Sequence, residues 1–388
     1  MHVIVNALPL TGLLTGISRY VRCLYAEIEK IPGVQVGYFT GKKVLQKMPA
    51  QAEPGSWSRA TDRIWQLPDA LVVGLRSAHW LNFERMLRNV CRQNTFTIYH
   101  ETAFVPAAIG TVPGIYTLHD LSLIDHSAKH PRERVWFFNL FFKRRLSYAA
   151  HIITVSEFMR GEIIEKLNIP QDRITTIHEA PDPNFYPRPQ ERVAQICQQH
   201  AWPSEYMLFV GTLEPRKNIG LLIKALSIMK NKIPLILAGW KGWGDKQWLH
   251  DMHALNLGKR IYMANYVDEE TLACLYCGAR AFIYPSLYEG FGLPVLEAMA
   301  CGCPVICSHA ASLPEVAGEA ALFINPTDAD ELAHQMDTVL EDKDFRNTLK
   351  ERGLERAHMF SWQTSAVKTV ELFSAITEQQ KKTAVSKL

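Results

Sequence analysis

Two carboxylates bracket a glycine-bearing turn in Glu289-Gly-Phe-Gly-Leu-Pro-Val-Leu-Glu297, eight positions apart. Tyr284-Pro285-Ser286 ends an apolar run before the turn, Pro294 suits a first helical position, and Gly302 suits the residue after the last turn. The segment reads as strand, loop and short helix, with Glu289 before the helix and Glu297 about one turn, roughly 5 Å, inside it. Free N–H groups at such a helix start favour an anion, and Gly290 and Gly292 would let a ligand approach the backbone closely. Hydroxyls are natural partners of both acids, so a phosphorylated, hydroxyl-bearing ligand fits. The plain alternative is that Glu297 complements the helix dipole, worth about 0.3–1 kcal/mol, while Glu289 is an ordinary loop acid.

A pair of cations lies in Thr212-Leu-Glu-Pro-Arg-Lys-Asn218, between the apolar run that ends at Gly211 and the helix-like Ile219-Gly-Leu-Leu-Ile-Lys-Ala-Leu226. Arginine can fork two phosphate oxygens and lysine adds a compact charge, so Arg216 and Lys217 together suit a diphosphate. An isolated Arg-Lys pair is more often solvated surface; the strand-end position argues for a site. Leu118-His119-Asp120 ends another apolar run, and a histidine there can donate or accept hydrogen bonds at neutral pH, although a lone histidine is usually structural. Leu8-Pro-Leu-Thr-Gly12-Leu-Leu-Thr-Gly16-Ile-Ser-Arg19-Tyr20 is a glycine-bearing loop that opens a helix without a strict GxGxxG spacing.

The elements that must carry these residues form two series. Val3-Ile4-Val5, Phe96-Thr97-Ile98-Tyr99, Ile115-Tyr116-Thr117-Leu118 and Ile152-Ile153-Thr154-Val155 read as buried strands separated by helix-length segments. Met207-Leu208-Phe209-Val210, Leu235-Ile236-Leu237, Ala281-Phe282-Ile283-Tyr284 and Pro304-Val305-Ile306-Cys307 restart the pattern. The fold class is therefore α/β, with two Rossmann-like doubly wound domains whose ligands belong at the carboxyl ends of the strands, in the cleft that two facing domains create. Ala180-Pro-Asp-Pro-Asn-Phe-Tyr-Pro-Arg-Pro189 suits a connection, giving domains 1–187 and 188–360 and a final segment 361–388. Residues 41–66, without clear periodicity, suggest a flexible loop that could take part in acceptor recognition. Phe360-Ser-Trp-Gln to about residue 378 reads as a helix, followed by a frayed tail at Lys381-Lys382.

With 388 residues, 47% of them hydrophobic, the chain can bury two ordinary cores. Met1-His-Val-Ile-Val resembles a first strand rather than a secretory signal, and no apolar run reaches bilayer-spanning length. A net charge of +3 does not indicate nucleic acid. Eight cysteines without a signal sequence suggest a reducing cytoplasm rather than a disulfide framework. The pairs Cys274/Cys277 and Cys301/Cys303 read as small buried thiols, not zinc ligands. Asp328-Ala-Asp330 precedes Glu-Leu-Ala-His-Gln-Met and reads as a helix N-cap rather than a metal-binding pair.

In their order along the chain, the glycine loop, His119-Asp120, Val155-Ser156-Glu-Phe158, Arg216-Lys217 and Glu289…Glu297 resemble the retaining nucleotide-sugar glycosyltransferases of family four. The Gly16-Ile-Ser-Arg-Tyr and Glu-Pro-Arg-Lys-Asn forms look most like bacterial mannosyltransferases of O-antigen and exopolysaccharide assembly. The resemblance implies a GT-B fold in which the C-terminal domain holds the sugar nucleotide and the N-terminal domain supplies most of the acceptor site, with the last helix crossing back to the first domain. It implies that Arg216 and Lys217 bind the diphosphate, with backbone N–H groups around Phe291, Gly292 and Leu293 and the Gly16 loop. Glu289 would contact sugar hydroxyls, Glu297 the ribose, and His119 the sugar near the reacting carbon. Base contacts are expected around Trp240–Trp243 and Asn265-Tyr266-Val267. GDP-mannose would be the donor co-substrate, a lipid-linked glycan the acceptor, and neither metal nor cofactor would be needed.

His130 to Arg145 mixes cations with five aromatics and reads either as an interfacial helix on the inner face of the cytoplasmic membrane or as a core helix with basic ends. Motifs for diphosphate and ribose do not identify base or sugar, so a UDP-hexose transferase, a GT-B sugar-nucleotide 2-epimerase and a non-catalytic sugar-nucleotide-binding subunit remain as alternatives.

Overall fold

In a computed structural model of the chain, residues 1–12, 15–50, 67–244 and 247–385 are described. They form two units, Met1–Glu179 with Trp362–Leu388, and Ala180–Ser361. The first is built on a seven-stranded sheet of β1 (His2–Asn6), β2 (Gln35–Phe39), β3 (Val44–Leu45), β4 (Ile98–Glu101), β5 (Gly114–Leu118), β6 (Ala149–Thr154) and β7 (Ile174–Thr176), ordered β3-β2-β1-β4-β5-β6-β7. Every pairing is parallel except β2 with β3. Helices follow most strands, so the central strands are covered on both faces, and their continuous apolar runs follow from that; Val3, Ile4 and Val5 are wholly buried.

The first crossover helix, Gly16–Ile28, starts with a capping box: Thr15 and Ser18 each bond the other's backbone N–H. The last helix, Trp362–Val385, belongs to this same unit and packs along Gly16–Ile28. Trp362 meets the Tyr20 ring at 5.8 Å, Phe373 meets His100 at 5.3 Å, and the Ser365 hydroxyl donates to the His178 carbonyl at 2.7 Å.

The second unit carries a wholly parallel six-stranded sheet of β8 (Met207–Val210), β9 (Leu235–Ala238), β10 (Ile261–Asn265), β11 (Phe282–Tyr284), β12 (Val305–Ser308) and β13 (Ala321–Ile324), ordered β10-β9-β8-β11-β12-β13. Because its strands are parallel, the loops after β8, β9, β10, β11 and β12 leave from one edge. The strand order reverses between β8 and β11, the crevice position at which open α/β sheets hold ligands.

Three expectations are refined. Within the stretch expected to be a flexible loop, Val44 and Leu45 pair antiparallel with Phe39 and Tyr38 as an edge strand; residues 51–66 lie outside the described residues. The helix Arg132–Leu146 is neither wholly core nor wholly interfacial. Phe138, Phe142 and Leu146 are buried and the helix packs with Asp69–Gln93, whereas Trp136 is 44% and Leu140 59% exposed. Asp328 caps the helix Ala329–Glu341 by accepting from the Glu331 N–H at 2.9 Å. Among the described residues no helix is long and apolar enough to cross a membrane.

Candidate active site

The turn after β8 is a short 3-10 helix, Pro215–Lys217, ended by Asn218 in the left-handed region with φ 59°. Asparagine tolerates that conformation, and its amide ties the turn down by donating to the Pro285 and Pro326 carbonyls. The Leu287 N–H donates to the Arg216 carbonyl at 2.9 Å, so the turns after β8 and β11 are joined. This junction brings Arg216, Lys217 and Glu289 together. Arg216 donates through Nη1 to Glu289 Oε2 at 2.9 Å and through Nη2 to Glu214 Oε1 at 2.6 Å. Lys217 Nζ donates to Glu289 Oε1 at 2.6 Å and to the Tyr284 hydroxyl.

The four ionisable side chains carry two positive and two negative charges, and Lys217, Glu214 and Glu289 are buried. Burial alone would push the Glu289 carboxyl up, but the Arg216 and Lys217 charges outweigh it and hold the group at about 2. Burial also pulls Lys217 below its ordinary value, with the Glu289 carboxylate opposing. One acid shared between two cations gains more from the cluster than either cation does, and we read all three as ionised.

The helix that follows spans Leu293–Ala300. Its N-cap, Gly292, has φ 108°, and a Cβ there would lie 2.6 Å from Leu313 Cδ2. A left-handed backbone and tight packing on Leu313 thus both require glycine at 292, in addition to the close ligand approach expected there. Ser312 holds the loop by donating to the carbonyls of Glu289 and Phe291. Phe291 and Leu293 are buried beside it. Glu297, 1% exposed, accepts from the Tyr276 hydroxyl at 3.2 Å. The loop after β9 lies directly against the cation turn: Leu213 N–H donates to the Trp240 carbonyl, and a Cβ on Gly242 would stand 2.2 Å from the Leu213 carbonyl oxygen. The Gly239 N–H donates to the Asn265 carbonyl at 2.7 Å, which draws Tyr266 and Val267 to the same edge. The expected phosphate, sugar and base residues of this unit thus share one sheet edge.

In the first unit, Gly16 is the first residue of its helix, and a Cβ there would meet nothing within 4 Å. His119 follows β5. Its Nδ1 lies 3.2 Å from Glu179 Oε1, its ring stands edge-on to Tyr20 at 4.8 Å, and its Nε2 is buried without a hydrogen-bond partner. Behind it runs a buried chain in which the Tyr20 hydroxyl and His100 Nε2 both reach the Thr117 hydroxyl, and Tyr25 reaches His100 Nδ1. Burial, with His119 adding to it, pulls the His100 imidazole down to about 3. Asp120, the neighbour by sequence, instead accepts from the Ser122 N–H, and Ser156 caps the next helix through the Met159 N–H.

Glu214, Tyr284 and Glu179 are the partners that sequence reasoning did not assign. Glu214 could have been suspected from its place two residues before Arg216. Glu179 could not, because 60 residues separate it from His119. Among the described residues no group of three or more His, Cys, Asp or Glu could hold a metal ion, and all eight cysteines are unbridged.

Residues 14–185 match the family described as Glycosyltransferase Family 4, and residues 195–356 match Glycosyl transferases group 1. The chain is 34% identical to O-antigen chain mannosyltransferase B of Escherichia coli over 97% of its own length and the whole of that protein. It is a family-four glycosyltransferase. Its fold is similar to those of a sucrose-phosphate synthase from Thermosynechococcus elongatus (TM-score 0.73, 22% identity, 97% of this chain and 99% of that one) and Anabaena HepE solved with UDP and glucose (TM-score 0.71, 18% identity, 97% and 100%). This glycosyltransferase therefore has the two-domain GT-B fold.

Proposed function

We propose that this glycosyltransferase moves mannose from GDP-mannose, with retention of configuration, to a hydroxyl of a lipid-linked glycan during assembly of a bacterial surface polysaccharide, O-antigen or exopolysaccharide. The observation that carries the sugar and the acceptor class is the 34% identity, over 97% of this chain and the whole of the other, to an O-antigen chain mannosyltransferase.

The chemistry follows from the residues. Breaking the bond between sugar and phosphate leaves charge on the diphosphate while the sugar becomes oxocarbenium-like. Arg216 and Lys217, placed beforehand by buried partners, would stabilise that charge without a bridging metal. As phosphate oxygens compete for the two cations, Glu289 would become available to the donor-sugar hydroxyls, while Glu297 would address the ribose and the 240–243 and 265–267 loops the base. His119 would address the sugar near the reacting carbon. No carboxylate is assigned as nucleophile: the acceptor hydroxyl would attack on the face the diphosphate leaves, and a phosphate oxygen would take its proton. The exposed Trp136 and Leu140, flanked by Arg132, Lys143 and Arg144, would rest the enzyme on the anionic inner face of the cytoplasmic membrane.

The test is transfer from a panel of GDP-mannose, UDP-glucose, UDP-galactose and dTDP-rhamnose to a polyprenyl-diphosphate-linked glycan in EDTA, with the linkage configuration read by NMR. An α-mannoside formed from GDP-mannose alone is expected. Preference for another donor, a β-linkage, or loss of transfer on chelation would overturn the corresponding part.

A further inference from the structure

His119 reaches two different environments through its two ring nitrogens. On one side is Glu179, at the end of the segment that follows β7, with its carboxylate oxygen 3.2 Å from Nδ1 and its side chain buried. On the other side Nε2 is buried yet meets no hydrogen-bonding group. The ring can scarcely turn, because Tyr20 stands edge-on to it at 87° and is itself held by Thr117 and by Trp362. Glu179 is equally fixed: the preceding residue, His178, accepts the Ser365 hydroxyl through its carbonyl.

We propose that Glu179 is a positioning residue for His119, selecting the tautomer with the proton on Nδ1 so that Nε2 presents a lone pair to a hydroxyl of the donor sugar. The proposal rests on the reading of His119 as the group that addresses that sugar. The physical argument is one of donors and acceptors. A carboxylate can only accept, so the Nδ1–Glu179 contact is a hydrogen bond only when Nδ1 carries the proton, and in a neutral imidazole the other nitrogen is then an acceptor. Without Glu179 nothing would hold the proton on Nδ1, and the Nε2–H form would present a donor where an acceptor is needed. Orienting carboxylates act on histidine elsewhere in the same way, fixing both the tautomer and the ring plane. A sugar hydroxyl that donates to Nε2 places more electron density on its own oxygen, which suits a neighbouring carbon that is becoming cationic.

The experiment compares the full-length enzyme with Glu179→Gln and His119→Gln, measuring kcat and donor KM together with the ¹⁵N imidazole spectrum of histidine-labelled protein, in which His119→Gln identifies the His119 signals. The wild type should show His119 protonated on Nδ1 with Nε2 bare. Glutamine keeps the shape of glutamate but can donate as well as accept, so Glu179→Gln should shift the signal toward the Nε2–H tautomer. It should also lower kcat by about 10–100-fold, the scale on which histidines lose function when an orienting partner is removed, with donor KM changed far less. A wild-type spectrum with the proton on Nε2 overturns the proposal without recourse to any variant. Loss of turnover in His119→Gln with unchanged kcat and tautomer in Glu179→Gln overturns the role of Glu179 alone. Unchanged turnover in His119→Gln overturns the sugar-facing reading on which the proposal stands.

Discussion

Glu289 accepts from two cations at once, and its removal therefore acts on stability as well as on turnover. In the unfolded chain its carboxyl titrates near 4.5 and in the folded protein near 2, so between these values the unfolded chain binds more protons and stability falls as the pH falls. The contribution present above that window is about 3 kcal/mol, similar to the roughly 3–5 kcal/mol expected when a buried charge loses its partner. Glu289→Gln should accordingly lower the free energy of unfolding at pH 7 by a few kcal/mol, and the gap to wild type should narrow from about pH 5 to pH 3; denaturant titrations at several pH values would check this. A gap that stays constant on acidification would mean that the carboxylate is not what the cations hold. The same variant should slow transfer by about 10²–10³-fold. At this scale much of the site was legible. Arg216, Lys217, Glu289 and Glu297 stand out in the sequence because strand ends and helix starts give charged residues an unusual setting. Their pairing was not legible: periodicity says which strand end a residue occupies, whereas the junction of the β8 and β11 turns depends on sheet order.

The helix Arg132–Leu146 shows how an element can be read correctly in type and only partly in role. Its aromatic content suggests an interface, yet stacked Phe138 and Phe142 are buried in the core, where Phe142 meets Tyr116 of β5. Arg145 pairs with the buried Glu84 at 2.8 Å instead of facing solvent. What remains outward is Trp136 and Leu140 among cations. Each such side chain contributes roughly 1.5–3 kcal/mol when fully buried, so Trp136→Ser with Leu140→Ser should weaken binding to phosphatidylglycerol vesicles by at least about tenfold. Raised salt should weaken the binding of the parent protein as well. Sedimentation with vesicles decides the matter, and an equal bound fraction for parent and variant, or none for the parent, would return the helix to a purely structural role. Strands were legible where they are long and apolar. β2, interrupted by Gly37, and β7, in which two threonines follow Ile174, offer no continuous apolar run, and the edge strand β3 is made by its partner rather than by its own two residues.

For the whole molecule, one restart of the strand and helix pattern foretold a tandem doubly wound fold, since parallel sheets covered on both faces leave near-continuous apolar runs. The attachment of the final helix to the first unit rests on particular contacts, Trp362 on Tyr20 and Phe373 on His100, which no local pattern encodes. On the proposed function, the paired cations after β8 form a metal-independent site for a guanosine diphosphate. Isothermal titration of GDP and UDP into the wild type and Lys217→Ala, with EDTA present throughout, tests that assertion most directly. GDP should bind more tightly than UDP, and Lys217→Ala should weaken GDP about 10–100-fold, the worth of one hydrogen bond to a charged group, while remaining folded. Tighter binding of UDP, or GDP affinity unchanged by the substitution, would contradict it.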